Sequence, residues 1–256
     1  YVVCSGGDGT MNEVAGALMQ LEHKPVCGYI PAGTVNDFAS SLHIPKLMKR
    51  AAKLVTDGAV FSCDMGGFND EYFTYVAGFG AFTEVSYQTP QEWKNALGKV
   101  AYFMEGIKHV AEIKPHHMRI EYEGRVVEDN FILGLVSNSV SVAGFKAYEK
   151  KNIKMDDGLF EGLFIRELKN PLEIQEVLNA LMTKNLHAPE IFKFSSSQIT
   201  IHSDDMVQWT LDGEDGGFCQ DVVMTNYQQA LPIICSPKAI DRISMLADSR
   251  KKKKQS

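Results

Sequence analysis

The sequence predicts an α/β unit followed by a mostly β region, and so two domains. Three observations carry this. A strand, a glycine turn and a helix occur in that order twice by Ala39, short strands dominate after about Gly58, and no internal repeat or low-complexity linker interrupts the chain. The first unit opens with the apolar run Tyr1-Val2-Val3-Cys4, read as a buried strand. Ser5-Gly6-Gly7-Asp8-Gly9-Thr10-Met11-Asn12-Glu13 follows as turn and helix start, because Met11, Val14, Ala15, Leu18 and Leu21 recur at helical spacing. Pro25-Val26-Cys27-Gly28-Tyr29-Ile30 is the second strand, Pro31-Ala32-Gly33-Thr34 its turn, and a helix starts near Val35-Asn36-Asp37-Phe38-Ala39. Two such units imply parallel strands with right-handed crossovers, and ligands of such sheets collect at the carboxyl ends of the strands. Since a parallel edge strand needs neighbours, residues preceding Tyr1 are expected.

Lys46 to Thr56 reads as a third helix through Leu47, Ala51, Leu54 and Val55. Residues Ala59 to Gly66 and Glu71 to Gly78 read as two strands joined by the turn Asn69-Asp70. A helix is predicted over Lys99 to Glu112. Strands follow over His117 to Tyr122, Arg125 to Asp129, Phe131 to Ser137 and Leu159 to Ile165, and a helix over Pro171 to Met182. Ile191 to Phe194, Gln198 to Ile201 and Val207 to Leu211 alternate like half-buried strands. Asp221 to Met224 adds another strand, and residues 237 to 248 a last helix. The expected domains are 1–58, 59–236, and a C-terminal helix and tail at 237–256 packing back on the first.

Composition narrows the function. An apolar content of 45% and a charged content of 23% suit a soluble globular chain, and the longest apolar runs fall far short of the roughly 20 residues that cross a bilayer. A formal net charge of −6 argues against nucleic acid as partner. The five cysteines, odd in number and widely spaced, read as reduced core thiols of a cytoplasmic protein. The tail Arg250-Lys251-Lys252-Lys253-Lys254 reads as a solvated run with some attraction for anionic lipid.

The chemistry lies where acids stand beside glycine. A glycine turn before a helix gathers unpaired N–H groups at the positive end of the helix dipole, which favours phosphate. Asp8 in that turn would repel phosphate unless a cation such as Mg²⁺ stood between them. Asp212-Gly213-Glu214-Asp215-Gly216 ends a strand-like alternation holding Trp209 and Leu211. Brought near the glycine turns, Asp212 or Glu214 could take a proton from a hydroxyl attacking phosphorus. An apolar approach for an acceptor could come from Phe68, Tyr72, Phe73, Tyr75, Phe79, Phe82 and Tyr87, or from Val140 to Tyr148, although both stretches also suit core packing.

Gly6-Gly7-Asp8-Gly9-Thr10 with Asn12-Glu13, Pro31-Ala32-Gly33-Thr34 with Asn36-Asp37-Phe38-Ala39, and Leu211-Asp212-Gly213-Glu214 together resemble the soluble diacylglycerol kinase family. The likeness is to its bacterial lipid kinases, related to sphingosine kinases and more distantly to NAD kinases and 6-phosphofructokinases, and it spans essentially the whole chain. It implies ATP held in a cleft between an α/β domain and a β-sandwich. Gly6, Gly7, Asp8, Gly9, Thr10, Asn12 and Thr34 would hold the nucleotide phosphates, and Asp8, Asp37 and Asp64 would surround a catalytic Mg²⁺. Glu214, with Asp212 as rival, would be the proton acceptor, and a structural Mg²⁺ would sit on the Lys154 carbonyl, the Asp157 side chain and the Leu159 carbonyl.

The implied activity is phosphorylation of a lipid hydroxyl, most simply diacylglycerol to phosphatidic acid, by a cytoplasmic enzyme at the membrane surface; a homodimer is left open. One departure stands out: the Asn-Pro motif that the family carries on an earlier strand has no counterpart here, which fits a truncated N-terminus and would weaken ATP binding. Two other readings are an NAD-kinase-like enzyme and a non-catalytic nucleotide-binding regulatory module.

Overall fold

Two parallel strands and three helices form the first layer of the molecule. The structure is a computed structural model and describes residues 1–80, 114–138, 154–183 and 185–241. The helix expected over Lys99 to Glu112, Phe82, Tyr87, residues 140–148, the end of the last predicted helix and the basic tail lie outside the described residues. Strand β1 (Val2–Gly6) pairs in parallel with β2 (Cys27–Pro31), from Val2 opposite Cys27 to Gly6 opposite Pro31. Between them runs α1 (Asp8–Met19), which forms because Met11, Ala15 and Leu18 make one buried stripe and no proline or β-branched run opposes it. The short α2 (Asp37–Ser41) and α3 (Met48–Asp57) follow.

The remaining strands build the second layer. They are β3 (Ala59–Phe68), β4 (Glu71–Phe73), β5 (Val76–Gly80), β6 (His116–Tyr122), β7 (Arg125–Ser137), β8 (Phe160–Arg166), β9 (Ile191–Ser196), β10 (Gln198–Leu211) and β11 (Glu214–Cys235), with helix α4 (Pro171–Thr183) between β8 and β9. All join one hydrogen-bonded sheet in the order β1-β2-β11-β10-β5-β7-β8-β9. Strand β6 fills the slot between β10 and β7 where β5 does not reach. The sheet curls over an aromatic core. Tyr122 of β6 stacks on Phe194 of β9 at 4.4 Å and Phe73 of β4 on Phe160 of β8 at 5.5 Å, although neither pair belongs to hydrogen-bonded neighbours. Such contacts across layers define a sandwich.

Strand β11 ties the two layers together. Val222 and Met224 enter the sandwich core, while Leu231, Ile233 and Cys235 enter the core beneath α1 and α3. Ile233 pairs in parallel with Cys27 of β2, so the α/β layer is continuous with the sandwich. Helix α4 covers the outside of β7 and β8 through Val177 and Leu181. Ile240, in a helical turn at 237–241, packs on the first core, and Ala239 beside it is buried.

Three differences from the sequence reading have physical causes. The strand predicted over Glu71 to Gly78 is broken into β4 and β5, because the N–H groups of Thr74, Tyr75 and Val76 point at the Asp212 carboxylate rather than at a neighbouring strand. The two strands predicted over Arg125 to Ser137 are one, as are those over Gln198 to Leu211, where an irregularity between His202 and Val207 interrupts the alternation. Of the two readings of the aromatic stretch, the burial of Phe68, Phe73, Tyr75 and Phe79 agrees with core packing, while Tyr72 is half-buried. The cysteines are free as expected, and burial pushes the Cys27 and Cys235 thiols up to about 12, which keeps them inert.

Candidate active site

The first glycine turn is as short as a turn can be: β1 ends at Gly6, and Gly7 is the N-cap of α1. No side chain caps that helix, so its first N–H groups face the space in front of the turn. The second turn lies against it. A Cβ on Gly33 would stand 2.5 Å from the Gly7 Cα, so this contact admits only glycine. The Gly6 carbonyl accepts the Ala32 N–H at 2.8 Å and the Tyr29 hydroxyl at 3.2 Å, which ties the ends of β1 and β2 together. Asn36, buried and left-handed at φ 56°, closes the second turn. Its amide nitrogen donates to the Gly33 carbonyl at 2.6 Å and its amide oxygen accepts the Gly33 N–H at 3.0 Å. Asn tolerates this backbone region better than most residues.

Asp8 links the two turns. Its carboxylate accepts the N–H groups of Asp37 at 3.0 Å and Phe38 at 3.1 Å, so the first residue of α1 caps the start of α2. Thr34 and Thr10 are exposed beside the turns, and Asp37 is half-buried.

The third motif reaches the same place. A Cβ on Gly9 would lie 3.2 Å from the Glu214 Oε1, so the carboxylate at the start of β11 rests against the first glycine turn. Gly7, Gly9, Thr10, Asn12, Glu13, Glu71, Leu211, Glu214 and Asp215 line one cleft of about 560 Å³. The charges of Asp212, Asp8, Asp37 and Glu214, added to its burial, all push the Tyr75 phenol upward, so four acids from three motifs converge on one side chain.

Asp212 and Glu214 sit differently. Asp212 is buried at φ 54°, and its two oxygens accept the Thr74 N–H (2.6 Å), the Thr74 hydroxyl (2.7 Å), the Tyr75 N–H (2.9 Å) and the Val76 N–H (2.9 Å). Burial raises its carboxyl to about 6, against the downward pull of those donors. Its own carbonyl accepts the Tyr75 hydroxyl at 2.8 Å. Glu214 is exposed to the cleft, and its carboxylate has no hydrogen-bond partner among the described residues.

Asp64 is held by partners of its own. It is fully buried in β3, where its oxygens accept the Gln229 N–H and the Gly158 N–H, each at 2.7 Å, and it holds the irregular step in β11 against the turn before β8. Burial raises its carboxyl to about 6, and the acids acting on it are Asp157 and Asp156. In that turn the Asp157 Oδ1 accepts the Leu159 N–H at 3.2 Å, while Lys154 and Leu159 are half-exposed. No group of three or more His, Cys, Asp or Glu stands ready to hold a metal among the described residues.

Sequence reasoning assigned no role to Thr74, Glu71, Glu13 or Asp215, and it read Tyr75 as part of an apolar approach for the acceptor or as core packing. The signal available for Thr74 was a single polar residue amid Tyr72, Phe73 and Tyr75.

Comparison with known proteins gives the family. Residues 1–68 match the family model of the diacylglycerol kinase catalytic domain, and residues 76–239 match that of the YegS C-terminal NAD kinase beta sandwich-like domain. A diacylglycerol kinase of Bacillus subtilis (strain 168) is 31% identical over 239 residues, covering 93% of this chain and 78% of the relative. One of Staphylococcus aureus (strain JH9) is 35% identical over 218 residues, covering 84% and 68%. The crystal structure of a diacylglycerol kinase from Bacillus anthracis str. Sterne superposes with a TM-score of 0.74 at 28% identity, covering 93% of this chain and 78% of that one. Yeast NADH kinase in complex with NADH, at 11% identity and a TM-score of 0.51 over 96% of this chain and 64% of that one, shares the fold alone. With the first and third motifs lining one cleft, the second packed against the first, and this likeness running along most of its length, the chain belongs to the diacylglycerol kinase family and is a lipid kinase that phosphorylates an alcohol group.

Proposed function

We propose that the chain transfers the γ-phosphoryl group of ATP to the hydroxyl of diacylglycerol, with Glu214 as the proton acceptor. The observation that supports this most is the Glu214 carboxylate lying against Gly9 in a cleft that the first glycine turn also lines. The open N–H groups at the start of α1 would receive phosphate oxygens, the Thr10 and Thr34 hydroxyls would add donors, and the packed pair Gly7–Gly33 would fix the distance between the two turns. The acceptor oxygen attacks the γ-phosphorus and its proton passes to Glu214. The bond from that phosphorus to the β–γ bridging oxygen breaks, and ADP leaves with the electron pair.

The donor set fits a hydrated Mg²⁺. Asp8 and Asp37 supply carboxylates beside the turns, each Asp8 oxygen keeps a lone pair beyond its one N–H bond, and the described residues offer no three-acid cage. That suits an ion which keeps its waters and takes phosphate oxygens. When bound, it would neutralise charge on the β- and γ-phosphates. A second cation on the Lys154 and Leu159 carbonyls and the Asp157 side chain is part of the same proposal, for oxygen ligands from a turn suit a hard ion. The acceptor places the enzyme at the cytoplasmic face of a membrane, and among the described residues no helix is long and apolar enough to cross one.

The test is label transfer from γ-labelled ATP with Mg²⁺, offered either diacylglycerol in mixed micelles or NAD. Label in phosphatidic acid is the expected result. Label in the dinucleotide would favour the NAD-kinase reading, and label in neither would favour a non-catalytic nucleotide-binding module.

A further inference from the structure

Asn12 is two residues into the first turn of α1 beyond Thr10, where a phosphate ligand would be expected, yet its side chain faces two acceptors. The Asp212 Oδ2 lies 3.2 Å and the Tyr72 carbonyl oxygen 3.3 Å from one end of its amide, and that end is assigned as the nitrogen because both neighbours are acceptors. Only N–H groups can pair with a carboxylate and a carbonyl, so both hydrogens of the amide are committed. What remains is the amide oxygen, an acceptor, which has nothing to offer a phosphate.

The group that Asn12 holds shapes the site. Asp212 occupies the left-handed region at φ 54°, which costs a non-glycine residue energy unless its surroundings enforce it. Thr74 and Asn12 converge on one of its oxygens, and Tyr75 and Val76 on the other. Two residues further on, Glu214 meets Gly9. The chain of contacts therefore runs from α1 through Asn12 to Asp212, and along the turn back to α1 at Gly9.

We infer that Asn12 is a positioning residue: it acts through Asp212, fastening the turn that carries Glu214 to the helix whose start receives the nucleotide phosphates. Thr74 and the Tyr75 hydroxyl complete the fastening, and no member of this set touches the reacting atoms. The inference rests on Glu214 being the proton acceptor, and it replaces the phosphate-binding role that the family likeness suggests for Asn12.

The experiment compares wild type with Asn12→Ala, Thr74→Val and Thr74→Ser by three readouts. These are equilibrium binding of a non-hydrolysable ATP analogue with Mg²⁺, kcat with diacylglycerol micelles, and amide hydrogen exchange across residues 212–216. Asn12→Ala and Thr74→Val are expected to raise exchange in the turn at least about tenfold and lower kcat about tenfold or more, leaving the nucleotide Kd within about twofold. Thr74→Ser, which keeps the hydroxyl, should stay within about twofold of wild type in all three. A tenfold weaker nucleotide Kd in Asn12→Ala with unchanged exchange would make Asn12 a phosphate ligand and overturn the inference. Faster exchange without loss of kcat would overturn it too, because the fastening would then be structural only. Should wild type label no lipid, the proposed acceptor falls, while exchange and nucleotide affinity still judge the link between Asn12 and Asp212.

Discussion

Asp212 and Glu214 stand two positions apart, and solvation divides their work. Glu214 faces the cleft, whereas Asp212 is buried with both oxygens occupied by donors. A buried carboxylate so engaged turns its lone pairs to those donors and not to the cleft. Its environment should show in stability. Burial raises Asp212, like Asp64, to about 6, above the roughly 3.9 of an unfolded aspartate. Between those values the native state binds protons that the unfolded chain does not, so stability rises as pH falls from 7 toward 4.5. The two-unit shift bounds the gain at about 2 to 3 kcal/mol per group, and Asp212→Asn should remove about half of the combined effect. Urea unfolding at pH 7 and pH 5 measures it. A slope of opposite sign, or one that the variant leaves untouched, would reject this account of Asp212.

At the scale of elements, the two glycine turns work as one piece because nothing larger than hydrogen fits between them. In Gly33→Ala the new methyl would meet the Gly7 backbone at 2.5 Å, and backbone cannot swing aside as a side chain can. Thermal unfolding should show a loss of about 1 to 3 kcal/mol, and nucleotide binding should weaken at least about tenfold as the turns separate. Wild-type affinity in that variant would mean that the turns do not act together. These turns were legible in the sequence because a buried strand, glycines and a helical stripe are local signals. The break between β4 and β5 was not legible. Its cause is a carboxylate 138 positions further along the chain, and Tyr72 to Val76 alternates well enough to pass for one strand. The unity of β10, and the reach of β11 beyond the strand predicted over Asp221 to Met224, escaped for the converse reason, since irregular steps within them scramble the alternation that marks a strand.

Over the whole molecule, β11 does the joining: it starts at Glu214 in the cleft, crosses the sandwich core, and ends in the core beneath α1. Midway, the Asp64 carboxylate holds its irregular step to the turn before β8, which carries the proposed second cation site. If that turn binds Mg²⁺, Asp157→Ala should lower the melting temperature more with the ion present than without it, because a ligand stabilises only the state that binds it. Equal shifts under both conditions would rule out a metal there. The overall layout was readable from the order of elements, but the bonds of Asp64 were not: position in a strand tells nothing of which N–H groups a fold will bring to a carboxylate, here those of Gly158 and Gln229, 94 and 165 positions further along the chain. What the fold does achieve is the meeting of the opening glycine turn with the late acidic turn. Turnover of the Glu214→Gln variant on diacylglycerol micelles, measured alongside its affinity for Mg²⁺–ATP, tests that meeting most directly. The expected result is a kcat lower by at least about 10²-fold with nucleotide affinity nearly unchanged. Turnover equal to wild type would contradict the assignment of the proton to Glu214, and with it the mechanism proposed for this cleft.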